Sequence, residues 1–312
     1  MPLHASAEMM MGLMVDSGMV ISPDSTPESA RAAMAAVAAS GIIPKHEIHA
    51  VEDRTVPGPG GDIPVRVYRP SSDAALPVVV YLHGGGWVIG SIESHDQLCR
   101  QLCDDAGAIV VSVDYRLAPE TKFPGAVDDC VAAWRWVTEH AAELGGDPAR
   151  VAVAGDSAGG NLAAVIAQVA RDEKLAAPVL QLLVYPATDY EFESPSMIDN
   201  AKGYFLEAFG MRWFYDHYAR TPADFDDPRF SPARTASLAG LAPAFVVTAE
   251  FDPLRDQGEA YAQRLREAGV PAEAVRGDGL FHGFFGLHEF VPEARDPWDA
   301  AVRSLRAAFG NG

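Results

Sequence analysis

A chain of 312 residues with 48% apolar and 21% charged side chains can bury a sizeable core, as one large α/β domain or two average ones, and this balance excludes a disordered or fibrous protein. Its formal charge of −19 repels polyphosphates and anionic headgroups, so neither nucleic acid nor a membrane surface is an expected partner. Three cysteines, Cys99, Cys103 and Cys130, are sparse and odd in number, which fits a reducing compartment better than a disulfide framework.

In chain order, the opening "MPLHASAEMMMGLMVDSGMV" is rich in methionine but has no positive leader, and Glu8 and Asp16 interrupt it. It does not read as a signal peptide, and no run reaches the roughly 18 apolar residues of a membrane span. A cytoplasmic address is therefore expected. Residues 1–40 read as helices ending near Gly41. "HEIHAVEDRTV" and "IPVRVYRP" alternate like paired antiparallel strands around the turn-rich "PGPGGD". Then follow the strand "LPVVVYL", a helix from about Ser94, the strand "AIVVSVDYR", a helix from Pro124 to Leu144, the strand "VAVAGDS", a helix after Ser157 and the strand "VLQLLVYP". Cys99 and Cys103 lie four apart on the first of these helices, but no second Cys or His pair follows at zinc spacing. They read as small core residues, and no metal is expected.

From about Tyr190 to Ser237 the composition changes. Phe192, Tyr204, Phe205, Phe209, Trp213, Phe214, Tyr215 and Tyr218 mix with Pro and Asp. An insertion between strands of a parallel sheet projects from the strands' C-terminal edge, where open α/β sheets bind ligands, so residues 190–237 are expected to cap a site. The alternative is a helical excursion that packs its aromatics into the main core. The strand "APAFVVTAEFD", a helix from about Asp256, "PAEAVRGD" and a helix near residues 297–309 complete the series. Apolar strands separated by helices predict a mostly parallel sheet with helices on both faces.

Within this frame Ser157 stands between Gly155 and Gly159, where a buried strand turns into a helix. G-x-S-x-G at such a junction is a nucleophile elbow, whose strained backbone lifts the hydroxyl above the sheet. "HGGGW" at residues 83–87 follows another strand, and its glycines let backbone N–H groups approach an oxyanion. A dinucleotide loop fails on spacing, because Ile89 stands where a glycine is required. A serine nucleophile needs a base, and the base needs a carboxylate to hold its tautomer. Of the histidines after Ser157, His217 sits among the aromatics of the insertion, while His282 lies in the glycine-flanked "GDGLFHGFFG" loop after the last strand; His288 is third. His282 is the expected base. Asp252, after "AFVVTAE", is the expected acid over Asp189, which follows the preceding strand; Glu250 is expected to point elsewhere, and Asp156 to organise the elbow. The alternative role for either aspartate is a helix N-cap.

"HGGGW", "DYRLAPE", "FPGAVDD", "GDSAGGNLA", "DPLRD" and "HGF" together resemble the bacterial hormone-sensitive-lipase-like carboxylesterases of the α/β-hydrolase fold, over about residues 45–310. The resemblance implies a Ser157, His282 and Asp252 triad and an oxyanion hole from the N–H groups of Gly85, Gly86 and Ala158. It implies that His83 shapes the glycine loop and that Tyr115, Arg116 and Glu120 brace the loops below the site. It also implies a two-part cap, residues 1–45 with 190–237, over a catalytic domain of residues 46–189 and 238–312. The expected activity is hydrolysis of short to medium acyl esters through an acyl-enzyme, with a small-molecule ester substrate and no cofactor. Amide, lactone and deacetylation chemistry use the same machinery. A non-hydrolytic ligand-binding protein on this fold is the rival from another class, and a homodimer is compatible with either. Met9, Met10, Met11, Met14 and Met19 suit an adaptable pocket lining, with the nucleophile, glycine loop and base all outside the first 35 residues.

Overall fold

The computed structural model describes residues 2–42 and 44–310. Eight strands form one sheet in the order β1-β2-β4-β3-β5-β6-β7-β8. The expected hairpin is present: β1 (Ala50–Val56) pairs antiparallel with β2 (Ile63–Arg69), from Ala50 opposite Arg69 to Val56 opposite Ile63. β2 also runs antiparallel to β4 (Ile109–Val113). From there β3 (Leu76–Leu82), β5 (Gly146–Asp156), β6 (Gln181–Val184), β7 (Ala244–Phe251) and β8 (Ala272–Phe281) are all parallel.

The run "VVVYL" is continuous in hydrophobicity because both of its faces are covered. Val78, Val80 and Leu82 enter one core with Trp134 of α4 (Gly125–His140), Leu162 of α5 (Ala158–Asp172) and Leu265 of α8 (Arg255–Glu267). Val79 and Tyr81 enter the other with Leu102 of α3 (Asp96–Ala106) and Trp298 and Leu305 of α9 (Arg295–Ala308). Cys130 is buried in the first core, and Cys99 and Cys103 in the second. Among the described residues no helix is long and apolar enough to cross a membrane.

Two N-terminal helices, α1 (Ala5–Asp16) and α2 (Pro27–Ala39), precede the sheet. Thr26 starts α2 by accepting the Ser29 amide at 3.1 Å, with Pro27 in the first helical position where a missing N–H costs nothing. The insertion carries α6 (Pro195–Asp199) and α7 (Ala208–Tyr218). Both readings of its aromatics hold in part. Tyr218 stacks on Trp87 of the glycine loop with ring centroids 4.6 Å apart, and Tyr215 and Phe230 are buried around them, whereas Phe205 and Phe214 face an open cavity.

One boundary differs from expectation. "GDGLF" is not a loop before His282 but the end of β8, which runs to Phe281. A register irregularity between Ala249 and Phe251 sets four residues of β8 against two of β7, so the longer β8 still ends level with its neighbour at the Phe251–Phe281 pair.

Candidate active site

β5 ends at Asp156 and α5 begins at Ala158, leaving Ser157 alone between them at φ 55° and ψ −118°. A side-chain-bearing residue adopts such a backbone only when its surroundings hold it. Here the Ser157 amide donates to Val184 O at 2.8 Å, and its carbonyl accepts from Asn161 N at 3.0 Å. A Cβ on Gly159 would collide with the Leu82 carbonyl, and one on Gly155 with the backbone of Gly159, so the turn closes only with both glycines.

His282 follows β8 directly. Its Nδ1 donates to Asp252 Oδ2 at 2.7 Å, since an ionised carboxylate only accepts; its Nε2 is then the acceptor for the Ser157 hydroxyl at 3.0 Å. Asp252 is fully buried and its other oxygen accepts the Leu254 amide at 2.8 Å. The three residues picked from sequence are thus brought into one hydrogen-bonded chain. The aspartate is a carboxylate partner of the imidazole and also caps the turn into α8.

The competing residues lie elsewhere. Asp189 pairs with Arg234 at 2.6 Å, and His217 donates from Nδ1 to Trp213 O at 2.8 Å and packs tilted against the Trp213 ring. His288 packs against Trp298. Glu250 accepts the Gly279 amide at 2.7 Å. Residues two apart in an unbroken strand share a face, so its divergence from Asp252 comes from the irregularity at the end of β7 rather than from strand alternation.

The glycine loop packs beside the elbow. Asp156 Oδ1 accepts the Tyr81 hydroxyl at 2.7 Å and the Gly84 amide at 3.0 Å, tying this loop to the elbow as expected of an organising residue. Burial alone would raise the Asp156 carboxyl, but His95 at 3.4 Å and the Tyr81 hydroxyl bring it below its ordinary value. Among the described residues the amides of Gly85, Gly86 and Ala158 carry no hydrogen bond and are free to donate. Gly86 adopts φ +59°, and a Cβ there would strike the Phe214 ring. Tyr115 donates to His83 O at 2.7 Å, and Arg116 clamps Asp129 at 2.8 and 2.7 Å. Tyr115 thus meets the start of the loop, while Arg116 is held by Asp129 of α4.

His83 is fully buried, stacks on Tyr115 at 4.3 Å and donates from Nδ1 to Gly84 O at 2.8 Å. Burial, then the nearby His95, push its imidazole down to about 3. The unfolded chain therefore binds this proton at a higher pH than the folded one. The stability held by neutral His83 is complete above pH ~6.5 and is lost as pH falls toward about 3. Urea unfolding at pH 7.5 and 4.5 should show a loss in the wild type about 2 kcal/mol larger than in His83→Gln, which has no such proton to bind. Equal losses would show that His83 does not set the acid limit.

Ser157, His282 and Tyr185 face a cavity of about 1140 Å³. Met10, Leu13, Met14, Met19 and Met34 line it from the N-terminal side, and Phe205 and Phe214 from the insertion. The methionine expectation therefore holds for three of the five residues named. Met9 is 71% exposed and Met11 packs on the second core instead. The nucleophile, glycine loop and base do lie outside the first 35 residues, yet those residues reach the loop's end, where Arg31 of α2 donates to Val88 O at 2.8 Å.

Sequence reasoning also missed Tyr185, whose ring lies 4.4 Å from that of His282, and Asn200, whose amide donates to the Asp252 carbonyl at 3.2 Å. Ser196 of α6 donates to Pro253 O at 2.8 Å, so the insertion grips the acid loop directly. None of these contacts has a motif signal.

Fold and site together define an α/β hydrolase. The model of the alpha/beta hydrolase fold family matches residues 79–286. The chain is 45% identical over 303 residues to the carboxylic ester hydrolase LipN of Mycobacterium tuberculosis, covering 95% of this chain and 78% of that one. It is 47% identical to an ethyl acetate hydrolase of Pseudomonas putida, over 79% of each chain. The hyperthermophilic esterase of the archaeon Pyrobaculum calidifontis superposes with a TM-score of 0.94 at 43% identity, covering 98% of this chain and 99% of that one. The chain belongs to the α/β-hydrolase fold family, in its hormone-sensitive-lipase-like esterase branch.

Proposed function

We propose that the chain is a serine carboxylesterase acting on short to medium acyl esters, with Ser157 as nucleophile, His282 as base and Asp252 as the carboxylate that holds its tautomer. The observation that carries this reading is the unbroken chain from Asp252 Oδ2 through His282 to Ser157 Oγ on the wall of an apolar cavity. Ser157 Oγ attacks the ester carbonyl as its proton passes to His282 Nε2. The oxyanion accepts hydrogen bonds from the amides of Gly85, Gly86 and Ala158, at the start of α5 where the helix dipole adds to them. His282 returns the proton to the leaving alcohol. Water, deprotonated by the same nitrogen, then frees the acid.

In this reading residues 1–45 and 190–237 form the cap, and residues 46–189 with 238–312 the catalytic domain. The ester hydrolases among the relatives support the ester rather than the amide or lactone bond as substrate. The sparse and odd set of three cysteines supports a reducing, cytoplasmic address in this reading. The test is hydrolysis of chromogenic esters from two to about twelve acyl carbons beside an amide of matched length. Turnover of the esters with negligible amide cleavage is expected, and no ester turnover at any length overturns the reading.

The cavity wall makes a second expectation. Each methylene buried from water contributes about 0.8 kcal/mol, so a longer acyl chain draws more from the apolar lining than acetate can. Met14→Ser should lower kcat/KM for an octanoyl ester about tenfold and for an acetyl ester less than about twofold. Equal losses at both lengths would remove Met14 from selectivity.

A further inference from the structure

The oxyanion loop is built of backbone, so its competence depends on what holds its peptide planes. On its inner side Gly85 O accepts the Val88 and Ile89 amides at 3.1 and 2.9 Å, and Trp87 O accepts the Ala118 amide at 2.8 Å. Trp87 itself is held at φ +60°, a left-handed conformation for a bulky residue immediately after Gly86. On its outer side the loop is met by a residue from the N-terminal helices. Arg31 Nε donates to Val88 O at 2.8 Å, and its Nη2 donates to Ala118 O at 2.7 Å. One guanidinium thus joins the loop to the segment that supports it. Glu120 accepts from Nη1 and Nη2 at 2.8 and 2.7 Å and fixes the plane of that fork.

We propose that Arg31 is a positioning residue for the reaction, aligning the Gly85 and Gly86 amides from the cap side, so that seating of α2 and assembly of the oxyanion hole are one event. This rests on the esterase reading above. The same helix places Met34, Ala35 and Ala38 on the cavity wall, so a substrate that packs against α2 also presses on the element that holds the loop. A lysine cannot replace the arginine, because its single ammonium lacks the planar fork that spans two carbonyls and a carboxylate. The ion pair persists through the working range. Bonding to Arg31 holds the Glu120 carboxyl down to about 2, so the pair is lost only as pH falls through that value.

The alternative is a staple that merely attaches α2 through an exposed ion pair. The two differ in what they change. Loss of one oxyanion donor costs about 10²–10³ in kcat, and Arg31 acts one step behind the donors, so a loss on the order of tenfold is expected. Arg31→Met and Arg31→Lys should each lower kcat about tenfold for acetyl and octanoyl esters alike, with KM nearly unchanged. They should weaken an alkyl trifluoromethyl ketone, whose hemiketal oxygen occupies the hole, by the same factor. Glu120→Gln keeps the bonds from Arg31 to both carbonyls and should lose less than about threefold.

Rates are read per site titrated to completion with an organophosphate, and if Arg31→Met does not fold, Arg31→Lys carries the comparison. Unchanged kcat and ketone affinity, a loss confined to long acyl chains, or an equal loss in Glu120→Gln would each overturn the proposal. Absence of turnover in the wild type would instead be a failure of the esterase reading.

Discussion

Ser157→Ala is expected to abolish ester turnover, with a fall in kcat on the order of 10⁵ to 10⁶, while the thermal midpoint stays within a few degrees of wild type. The substitution removes one hydroxyl, which bonds to His282 Nε2 at 3.0 Å. It leaves the elbow intact, because the backbone bonds to Val184 and Asn161 and the clearance at Gly155 and Gly159 owe nothing to the side chain. Alanine accepts the same positive φ at much the same cost as serine, so the strain is not relieved either. What survives is the oxyanion donors and the cavity, which together still favour the reaction over water, and that residue sets the floor of the expected loss. A pre-steady-state burst of alcohol from the wild type, absent in Ser157→Ala, would tie the loss to acyl transfer rather than to substrate binding. Wild-type-like turnover in a folded Ser157→Ala protein would end the mechanism.

The parts of this site legible in sequence are those that depend on backbone shape. Gly155, Ser157 and Gly159 announce a turn too tight for a Cβ, and the glycines at 84–86 announce a loop against which Asp156, the Ile89 carbonyl and Phe214 all press closely. Such constraints act over a few residues, so the chain must write them locally. The parallel core was readable for a similar reason, since Val78 to Leu82 are buried on both faces and show no alternation. Arg31, Tyr185, Asn200 and Ser196 are different. Each acts across at least 50 residues of chain, 57 between Arg31 and Val88, through a single side chain that no local motif marks. An arginine on an alanine-rich helix reads as a solvated charge until the carbonyl it meets is known. Glu250 does point away from Asp252, to the Gly279 amide, but strand alternation cannot be the cause. A two-residue offset from Asp252 shares a face in a regular strand, and the two carboxylates diverge only because β7 has lost its register by then.

The choice of acid gives the second large effect. Asp252→Asn should reduce kcat by about 10³ to 10⁴, by analogy with the corresponding change in serine proteases, while leaving the geometry near native. The reason lies in the direction of one hydrogen bond. In the wild type the carboxylate accepts from His282 Nδ1 at 2.7 Å, which leaves Nε2 bare toward Ser157. The Leu254 amide, 2.8 Å from Oδ1, requires an acceptor there, so an asparagine would turn its carbonyl to Leu254 and its NH₂ to the imidazole. Nδ1 then becomes the acceptor, the proton moves to Nε2, and the nitrogen facing Ser157 can no longer take the hydroxyl proton. Asp189→Asn removes a carboxylate that is engaged with Arg234 at 2.6 Å and holds no histidine, so kcat should stay within about threefold of wild type. Measuring both variants side by side with their urea midpoints separates chemistry from stability. A larger loss of kcat in Asp189→Asn than in Asp252→Asn would move the acid one strand toward the elbow.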